Sequence, residues 1–174
     1  MIISAYVDDF MVIALTSSAI DTIACQLALD LDLKDMGEMS QFIGIEISRS
    51  DDGIRISHSA KIASVCHDLG LSDYRGASAP ITDDGLIDRP AGLLSDADAT
   101  RFRSAVGSLL HIAIMTRPDI QYAVNRLARH VKSPSENAML GLKHLVRYLS
   151  KTRRATLLFP ISGASVLTGS SDSS

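Results

Sequence analysis

Two adjacent carboxylates near the start of the chain are the residues best placed to do chemistry. Asp8 and Asp9 follow Tyr6 and Val7 within an apolar run, whose Ile, Val, Tyr and Phe residues favour strands while the paired Asp favours a chain reversal. Neighbouring carboxylates at a hairpin tip repel each other unless a cation lies beside them. The pattern therefore predicts a Mg²⁺ site in which Asp8 is the ligand and Asp9 assists.

This chemistry is the kind that nucleotidyl transfer needs. Two divalent ions about 4 Å apart activate the primer hydroxyl and stabilise the leaving oxygens. The alternative is a solvated Asp-Asp turn without a ligand, which is the commoner role of a bare Asp pair. The apolar strands that flank Asp8 and Asp9 favour the functional interpretation.

The elements before residue 72 are predicted from turn residues and apolar spacing. A first hairpin spans 1–15, and a helix follows with Ser18 and Asp21 as a capping box and Gly37 at its end. Its predicted buried face consists of Ile20, Ile23, Ala24, Leu27 and Leu31. A strand over 42–48, a turn at 51–53 and a strand over 54–57 predict a second hairpin, with a helix over 59–69 after it.

Residues 72–94 contain prolines, glycines and aspartates without an apolar period, which predicts a surface connection between two lobes. Three helices are predicted next. Ser95 caps the first, Thr116 caps the second with Pro118 in its first turn, and the third follows Pro134. Short closing strands are predicted at 156–159 and 166–168.

Charge is divided unevenly along the chain. Residues 1–100 hold 6 Lys/Arg against 17 Asp/Glu, whereas residues 101–174 hold 11 against 3, a balance of +8. Lys143, Arg147 and Lys151 recur on one predicted helix face, and Arg126 lies on the helix before it. Such a stripe predicts salt-sensitive contact with a phosphate backbone, and a solvated helix face is the alternative.

The remaining reactive side chains indicate no further site. Cys25 and Cys66 are isolated, and the five histidines lack metal-ligand spacing, so we expect core or surface roles for them. The longest apolar run after the first hairpin is too short to cross a bilayer, so we expect a soluble intracellular chain with no membrane partner.

Five stretches, taken in order, resemble the copia-type (pseudovirus) reverse transcriptases. They are Tyr6-Val7-Asp8-Asp9, Phe42-Ile43-Gly44-Ile45-Glu46-Ile47, Val106-Gly107-Ser108-Leu109-Leu110, Thr116-Arg117-Pro118-Asp119-Ile120 and Arg147-Tyr148-Leu149-Ser150-Lys151-Thr152. Each would be weak by itself. Their common order over nearly the whole chain identifies the family.

The resemblance implies a role for each part of the chain. Asp8 and Asp9 would be two of the polymerase carboxylates, with Mg²⁺ as cofactor, and Tyr6 would pack near the nascent base pair. Phe42, Ile43 and Gly44 match the hairpin that grips the primer terminus, although a core strand is the alternative for this stretch. The implied partner is an RNA/DNA template-primer.

Two departures from the family pattern limit the expected activity. In the family the first catalytic Asp lies on an earlier strand, and only five residues precede Tyr6 here, so we expect no polymerisation by this chain alone. Asp172 matches the first metal-binding Asp of ribonuclease H, but the sequence stops at Ser174. We therefore expect Asp172 to be a remnant and not a ligand.

The predicted fold is α+β, with a partial palm of antiparallel hairpins and amphipathic helices followed by a thumb-like or connection helical lobe. The predicted division is a palm part with a first thumb-like helix at 1–71, a linker at 72–94, a helical lobe at 95–152 and the start of a ribonuclease H-like region at 153–174. Two other functions remain open. They are a non-catalytic nucleic-acid-binding module and an α/β interaction domain whose exposed sheet edge pairs with the missing half of the polymerase or another chain.

Overall fold

The computed structural model describes residues 1–71, 75–81 and 86–161. The strands are β1 (Ile2–Tyr6), β2 (Asp9–Ile13), β3 (Gln41–Phe42), β4 (Ile45–Ser50), β5 (Gly53–Ser57) and β6 (Leu157–Pro160). The helices are α1 (Ser17–Leu27), α2 (Ser59–Asp68), α3 (Asp96–Met115), α4 (Gln121–Ala128) and α5 (Glu136–Lys151), with a 3₁₀ helix at Pro118–Ile120. The predicted α+β class is confirmed. None of the helices in this described part is long and apolar enough to cross a membrane.

The chain divides into two compact units, Met1–Met39 and Ser40–Ser174, and each is described by itself. In the first unit, β1 and β2 pair antiparallel from Ile2 opposite Ile13 to Tyr6 opposite Asp9, which confirms the predicted hairpin. All 39 residues of this unit are described, and none of them is buried. The four-part division made from the sequence stays a prediction.

Helix α1 differs from its prediction in cap, length and burial. Its N-cap is Thr16, whose hydroxyl accepts from the Ala19 N–H at 3.3 Å, so the Ser18/Asp21 capping box is wrong. The helix ends at Leu27, well before Gly37. Aspartates recur from Asp30 onward, and negative charge near a helix C-terminus opposes the helix dipole. The predicted apolar face is at most half-buried.

Strands β3 to β6 form one antiparallel sheet in that order. The stretch 42–48 was predicted as a single strand, and this is wrong because Ile43 and Gly44 form a two-residue turn between β3 and β4. Both have positive φ, 50° and 77°, as the tight hairpin turns require. The turn at Asp51-Asp52 and the closing strand β6 confirm their predictions. The predicted strand at 166–168 and Asp172 lie outside the described residues.

Helices α2 to α5 enclose the hydrophobic core. The side chains at 1% exposure or less include Phe102, Val106, Leu109, Ile112, Ile120, Val124, Leu127, Leu142, Leu145 and Leu149. Ser95 and Ser135 cap α3 and α5, each accepting from a backbone N–H three residues on at 3.2 Å. Pro118 lies in the first turn of the 3₁₀ helix as predicted, but Thr116 is the buried C-cap of α3 and not the N-cap of the next helical segment.

The stretch predicted as a surface connection contributes to this core. Ile87 is 4% exposed and packs so closely on Gly141 of α5 that a Cβ there would lie 2.7 Å from Ile87 Cγ1. Backbone bonds from Glu136 N to Gly92 O (2.9 Å) and from Leu94 N to Pro134 O (3.0 Å) hold the same stretch to the start of α5. Among the described residues of this stretch Ile87 is buried, although the sequence shows no apolar period there.

Candidate active site and nucleic-acid contacts

The β1–β2 turn presents both candidate metal ligands to solvent. Tyr6 and Asp9 close the turn, Val7 and Asp8 form it, and all four side chains are exposed. Val7 has φ +52°, a left-handed conformation that is rare for a β-branched residue and costs about 1–3 kcal/mol. The strand pairing on both sides must therefore hold the turn in a conformation that Val7 itself disfavours.

Asp8 and Asp9 are the residues of this hairpin that could hold a divalent cation. Mg²⁺ prefers carboxylate oxygens and keeps several water ligands, so an exposed pair of carboxylates has suitable chemistry. Within the described residues, no three His, Cys, Asp or Glu side chains are grouped as a metal site. Asp8 and Asp9 could therefore supply only part of a ligand set.

The β3–β4 turn carries the three residues predicted to contact a primer. Phe42 and Ile43 are half-buried, and Gly44 is exposed. Ile43, like Val7, is a β-branched residue with positive φ. Two hairpins of the chain thus place a β-branched residue in a strained turn, and each lies in a stretch that carried the sequence resemblance.

Glu46 of β4 fixes this hairpin to the next helix, a role that the sequence analysis missed. Its carboxylate accepts from the Ala60 N–H at the start of α2 (2.6 Å) and from the Ser57 hydroxyl (2.7 Å). Burial acts to raise the pKa of Glu46, but these hydrogen bonds outweigh it and the pKa lies below its ordinary value. Glu46 therefore serves as an N-cap supplied from the sheet.

His58 lies in the core between the sheet and α3. It is 2% exposed, and its Nδ1 is hydrogen-bonded to Thr116 Oγ1 at 2.7 Å. Its ring meets the His111 ring edge-to-face with centroids 5.1 Å apart. Burial lowers the pKa of His58, and the neighbouring His111 lowers it further. His58 is thus a core residue, one of the two roles predicted for the histidines.

The sequence analysis also missed a set of hydrogen bonds between residues 116–120 and residues 147–152, two of the stretches that resemble the family. Arg117 is 3% exposed and donates to both carboxylate oxygens of Asp119, from Nε at 2.8 Å and Nη2 at 2.7 Å. It also donates to the carbonyl (3.1 Å) and the hydroxyl (2.7 Å) of Thr152. The Tyr148 hydroxyl donates to Asp119 at 2.8 Å. We call Arg117, Asp119, Tyr148 and Thr152 the arginine clamp.

The clamp is an ion pair that fastens the end of α5 to the 3₁₀ helix. The Arg117 guanidinium lowers the pKa of Asp119, and the Tyr148 hydroxyl adds to this effect. Although burial opposes it, Asp119 raises the pKa of Arg117. A Thr-Arg-Pro-Asp stretch and a later Tyr-x-x-x-Thr spacing were the only sequence signals, and neither reveals the pairing.

The predicted phosphate-binding residues have unequal surroundings. Arg126 pairs with Asp88, which also accepts from His130 Nε2 at 3.0 Å, and hydrogen bonds from His130 and Arg126 lower the pKa of Asp88. Lys143 and Arg147 are half-buried on α5, whereas Lys151 is exposed at its end. Arg126 is thus engaged by Asp88, whereas the three α5 side chains differ in exposure.

Comparison with known proteins places the chain in a family. Residues 1–83 match the family model "Reverse transcriptase (RNA-dependent DNA polymerase)". The chain is similar to the retrovirus-related Pol polyprotein from transposon RE1 of Arabidopsis thaliana, 31% identical over 84% of this chain and 10% of that protein. It is also similar to a putative transposon Ty5-1 protein of Saccharomyces cerevisiae, 30% identical over 90% of this chain and 51% of that protein.

An uncharacterized mitochondrial protein of Arabidopsis thaliana is 28% identical over 87% of this chain and 62% of its own length. The chain thus spans from about a tenth to about three fifths of these relatives. No solved structure matches significantly. Reverse transcriptases in general depend on a divalent metal and bind a template-primer. On the family match and the transposon relatives, the chain is a segment of a copia-type retrotransposon reverse transcriptase.

Proposed function

We propose that this chain supplies two metal-binding carboxylates, Asp8 and Asp9, to the palm of an RNA-directed DNA polymerase. The observation that carries the proposal is an Asp-Asp pair at an exposed hairpin turn within the residues that match the family. In nucleotidyl transfer the primer hydroxyl attacks the α-phosphate of a nucleoside triphosphate and pyrophosphate leaves; divalent ions held by the carboxylates would stabilise the attacking and leaving oxygens. Asp8 and Asp9 ligate Mg²⁺, and Tyr6 packs near the nascent pair.

The β3–β4 turn and the helical lobe take the other roles in this proposal. Phe42, Ile43 and Gly44 contact the primer terminus, and the lobe from α3 to α5 acts as the thumb or connection. The half-buried state of Phe42 and Ile43 leaves part of each side chain available for contact. Arg126, Lys143, Arg147 and Lys151 are the proposed contacts to the nucleic-acid backbone.

The metal site is tested with Mn²⁺ as a paramagnetic probe for Mg²⁺. Mn²⁺ should broaden the backbone NMR signals of the β1–β2 turn, and Asp8→Asn together with Asp9→Asn should remove the broadening. Asp51→Asn, at the exposed β4–β5 turn, is the matched control and should leave it unchanged. Broadening that survives the Asp8 and Asp9 substitutions would exclude this hairpin as the metal site.

The catalytic role is tested by complementation. Two carboxylates are fewer ligands than a two-ion site requires, so these 174 residues should extend no primer with Mg²⁺. Adding the upstream polymerase segment of the RE1 Pol polyprotein as a separate chain should give templated extension that Asp8→Asn abolishes. Extension by the 174 residues alone, lost on Asp8→Asn, would show that no further segment is needed.

A second candidate function is non-catalytic nucleic-acid binding by the helical lobe. It is favoured by the formal net charge of +8 for residues 101–174 and by the exposure of Lys151 at the end of α5. Binding to phosphate releases counterions, so affinity should fall steeply between low and moderate salt. Affinity that is constant over that range would argue against this function.

A third candidate is an interaction domain built on the first hairpin. Ile2, Ile3 and Ile13 are 61%, 45% and 48% exposed, and the outer edges of β1 and β2 pair with no other strand among the described residues. A strand from the rest of the polymerase or from another chain would cover both edge and apolar surface. Sedimentation as a clean monomer at high concentration would count against it.

A further inference from the structure

The last residue of α5 and the loop that follows it carry three exposed cations within four residues. Lys151, Arg153 and Arg154 border an open cavity of about 720 Å³ that is lined by residues 150–155. No carboxylate of the described residues forms an ion pair with any of the three. We call these three residues the basic turn. Its charge is open to solvent, and a ligand need displace no internal partner to reach it.

The arginine clamp holds the backbone of the basic turn in place. Both oxygens of Thr152, which lies between Lys151 and Arg153, accept from Arg117. The Ala155 N–H donates to Thr152 O at 2.9 Å and closes the loop. Because Arg117 is itself bound to Asp119, the turn is fixed from the buried side. Cations on a fixed backbone lose less conformational freedom on binding than cations on a mobile one.

Three other basic side chains of the lobe, Arg103, Arg126 and His130, are already engaged. Arg126 and His130 share the Asp88 carboxylate, and Arg103 donates to Val131 O at 3.0 Å. A phosphate that approached Arg126 would have to replace Asp88, with loss of a charge-assisted pair. A phosphate that approached the basic turn would not have to displace a carboxylate of the described residues.

We propose that the basic turn is the phosphate-contact site of the helical lobe, and that it takes the sugar–phosphate backbone of a nucleic acid without reading its sequence. Arg117 is a positioning residue, since it contacts Thr152 and not the ligand. The proposal rests on the second candidate function and narrows it to Lys151, Arg153 and Arg154. It removes Arg126 from the set of direct contacts.

The test is fluorescence anisotropy of a labelled single-stranded oligonucleotide with the full chain. A variant with Lys151→Gln, Arg153→Gln and Arg154→Gln should lower the slope of log affinity against log salt by about 2, since each phosphate contact contributes about 0.7 on a single strand. The matched control carries Arg101→Gln, Arg129→Gln and Lys132→Gln, with the same net charge change. Its slope should stay near that of the unchanged chain.

Each outcome is informative. Equal slope losses in the two variants would mean that binding follows the overall field of the lobe, and would overturn the basic turn as a site. No binding by the unchanged chain would overturn both this site and the second candidate function. The Asp8 and Asp9 proposal would still be judged by Mn²⁺ broadening and complementation. Circular dichroism melting of both variants confirms that they are folded.

The positioning part has its own test at Thr152. Thr152→Val removes the hydroxyl that accepts from Arg117, and should lower affinity several-fold while the salt slope stays unchanged, because no phosphate contact is lost. Thr152→Ser keeps the hydroxyl and should restore affinity. Unchanged affinity in Thr152→Val would overturn the positioning role, and a reduced slope would mean that Thr152 itself contributes to ion binding.

Discussion

The hairpin unit, Met1–Met39, and the helical core of α2 to α5 differ in how far their side chains are withdrawn from water. The hairpin unit contains Asp8 and Asp9 but no buried residue, whereas the core holds side chains such as Phe102 and Leu145 at 0% exposure. A two-stranded hairpin is marginally stable alone in water. The motif with the sharpest chemistry therefore lies in the region with the least packing to support it.

The residues that could do chemistry and the residues that stabilise the fold therefore lie in different regions of the chain. Burial of apolar surface is the main favourable term in folding, and it is concentrated in α2 to α5. The Asp8–Asp9 turn is instead destabilised by the positive φ of Val7.

Truncating the core should cost far more than truncating the hairpin. Leu145→Ala removes a fully buried side chain and should lower the free energy of unfolding by about 3–5 kcal/mol. Ile3→Ala is the control, because Ile3 is 45% exposed, and it should cost less than about 1 kcal/mol. Urea denaturation followed by helical circular dichroism measures both. Equal costs would mean that side chains of the hairpin contribute as much to stability as those of the helical core.

Loss of the arginine clamp should be the next largest effect. Arg117→Ala removes the charged donor from Asp119, which keeps only the Tyr148 hydroxyl, and it removes the donor from the Thr152 hydroxyl. A fully buried pair costs about 3–5 kcal/mol to break, and since Asp119 is 41% exposed we expect about 2–3 kcal/mol.

Arg101→Ala is the control for Arg117→Ala. Arg101 pairs with Asp98 on the surface at 3.4 Å, and removing it should cost about 0.5 kcal/mol or less. The same denaturation experiment measures both variants. A small decrease in the free energy of unfolding for Arg117→Ala would mean that apolar packing alone holds the end of α5 in place.

Mild acid should destabilise the core through His58. Its folded pKa is lowered, by burial first and then by His111, so the neutral form is favoured in the folded state. The stability contributed is present above the unfolded pKa of about 6.5 and is lost as pH falls toward the folded pKa. Glu46 opposes the shift and Lys61 adds to it.

The measurement is the midpoint of urea denaturation from pH 7.5 to 5. His58→Gln has no titrating side chain there and should show a flatter profile, while a control variant at the exposed His67 should not. Two carboxylates with lowered pKa values that hold the core elements together, Asp119 and Glu46, lose their contribution only at lower pH, below about 4. An unchanged slope in His58→Gln would assign the acid sensitivity elsewhere.

Relieving the strained turn should have the smallest effect, and it should be opposite in sign. Val7→Gly allows the positive φ without a Cβ and should stabilise the hairpin by up to about 1 kcal/mol. Val12→Gly, within β2, should destabilise it by about 0.5–1 kcal/mol. Hydrogen exchange of the β1 and β2 amides reports both. Faster exchange in Val7→Gly would show that Val7 contributes more by contact than it costs in strain.

Local patterns were sufficient wherever one short stretch carries the whole signal. Ser95 and Pro118 mark the beginnings of helical segments, and Leu142, Leu145 and Leu149 recur at the spacing of a buried face. The Asp8–Asp9 hairpin also follows from strand formers on either side of a turn. For α1 the pattern predicted the helix but not its shallow burial, because periodicity marks an apolar face and not what covers it.

By itself, the sequence determined the family, the α+β class, the helical lobe and the hairpin that carries Asp8 and Asp9. Only the tertiary structure decided which polar side chains meet. Arg117 pairs with Thr152 across 35 residues, and Arg126 pairs with Asp88 across 38. The physical reason is that a periodic pattern records which face of an element is buried, whereas a polar contact depends on how two distant elements are packed together.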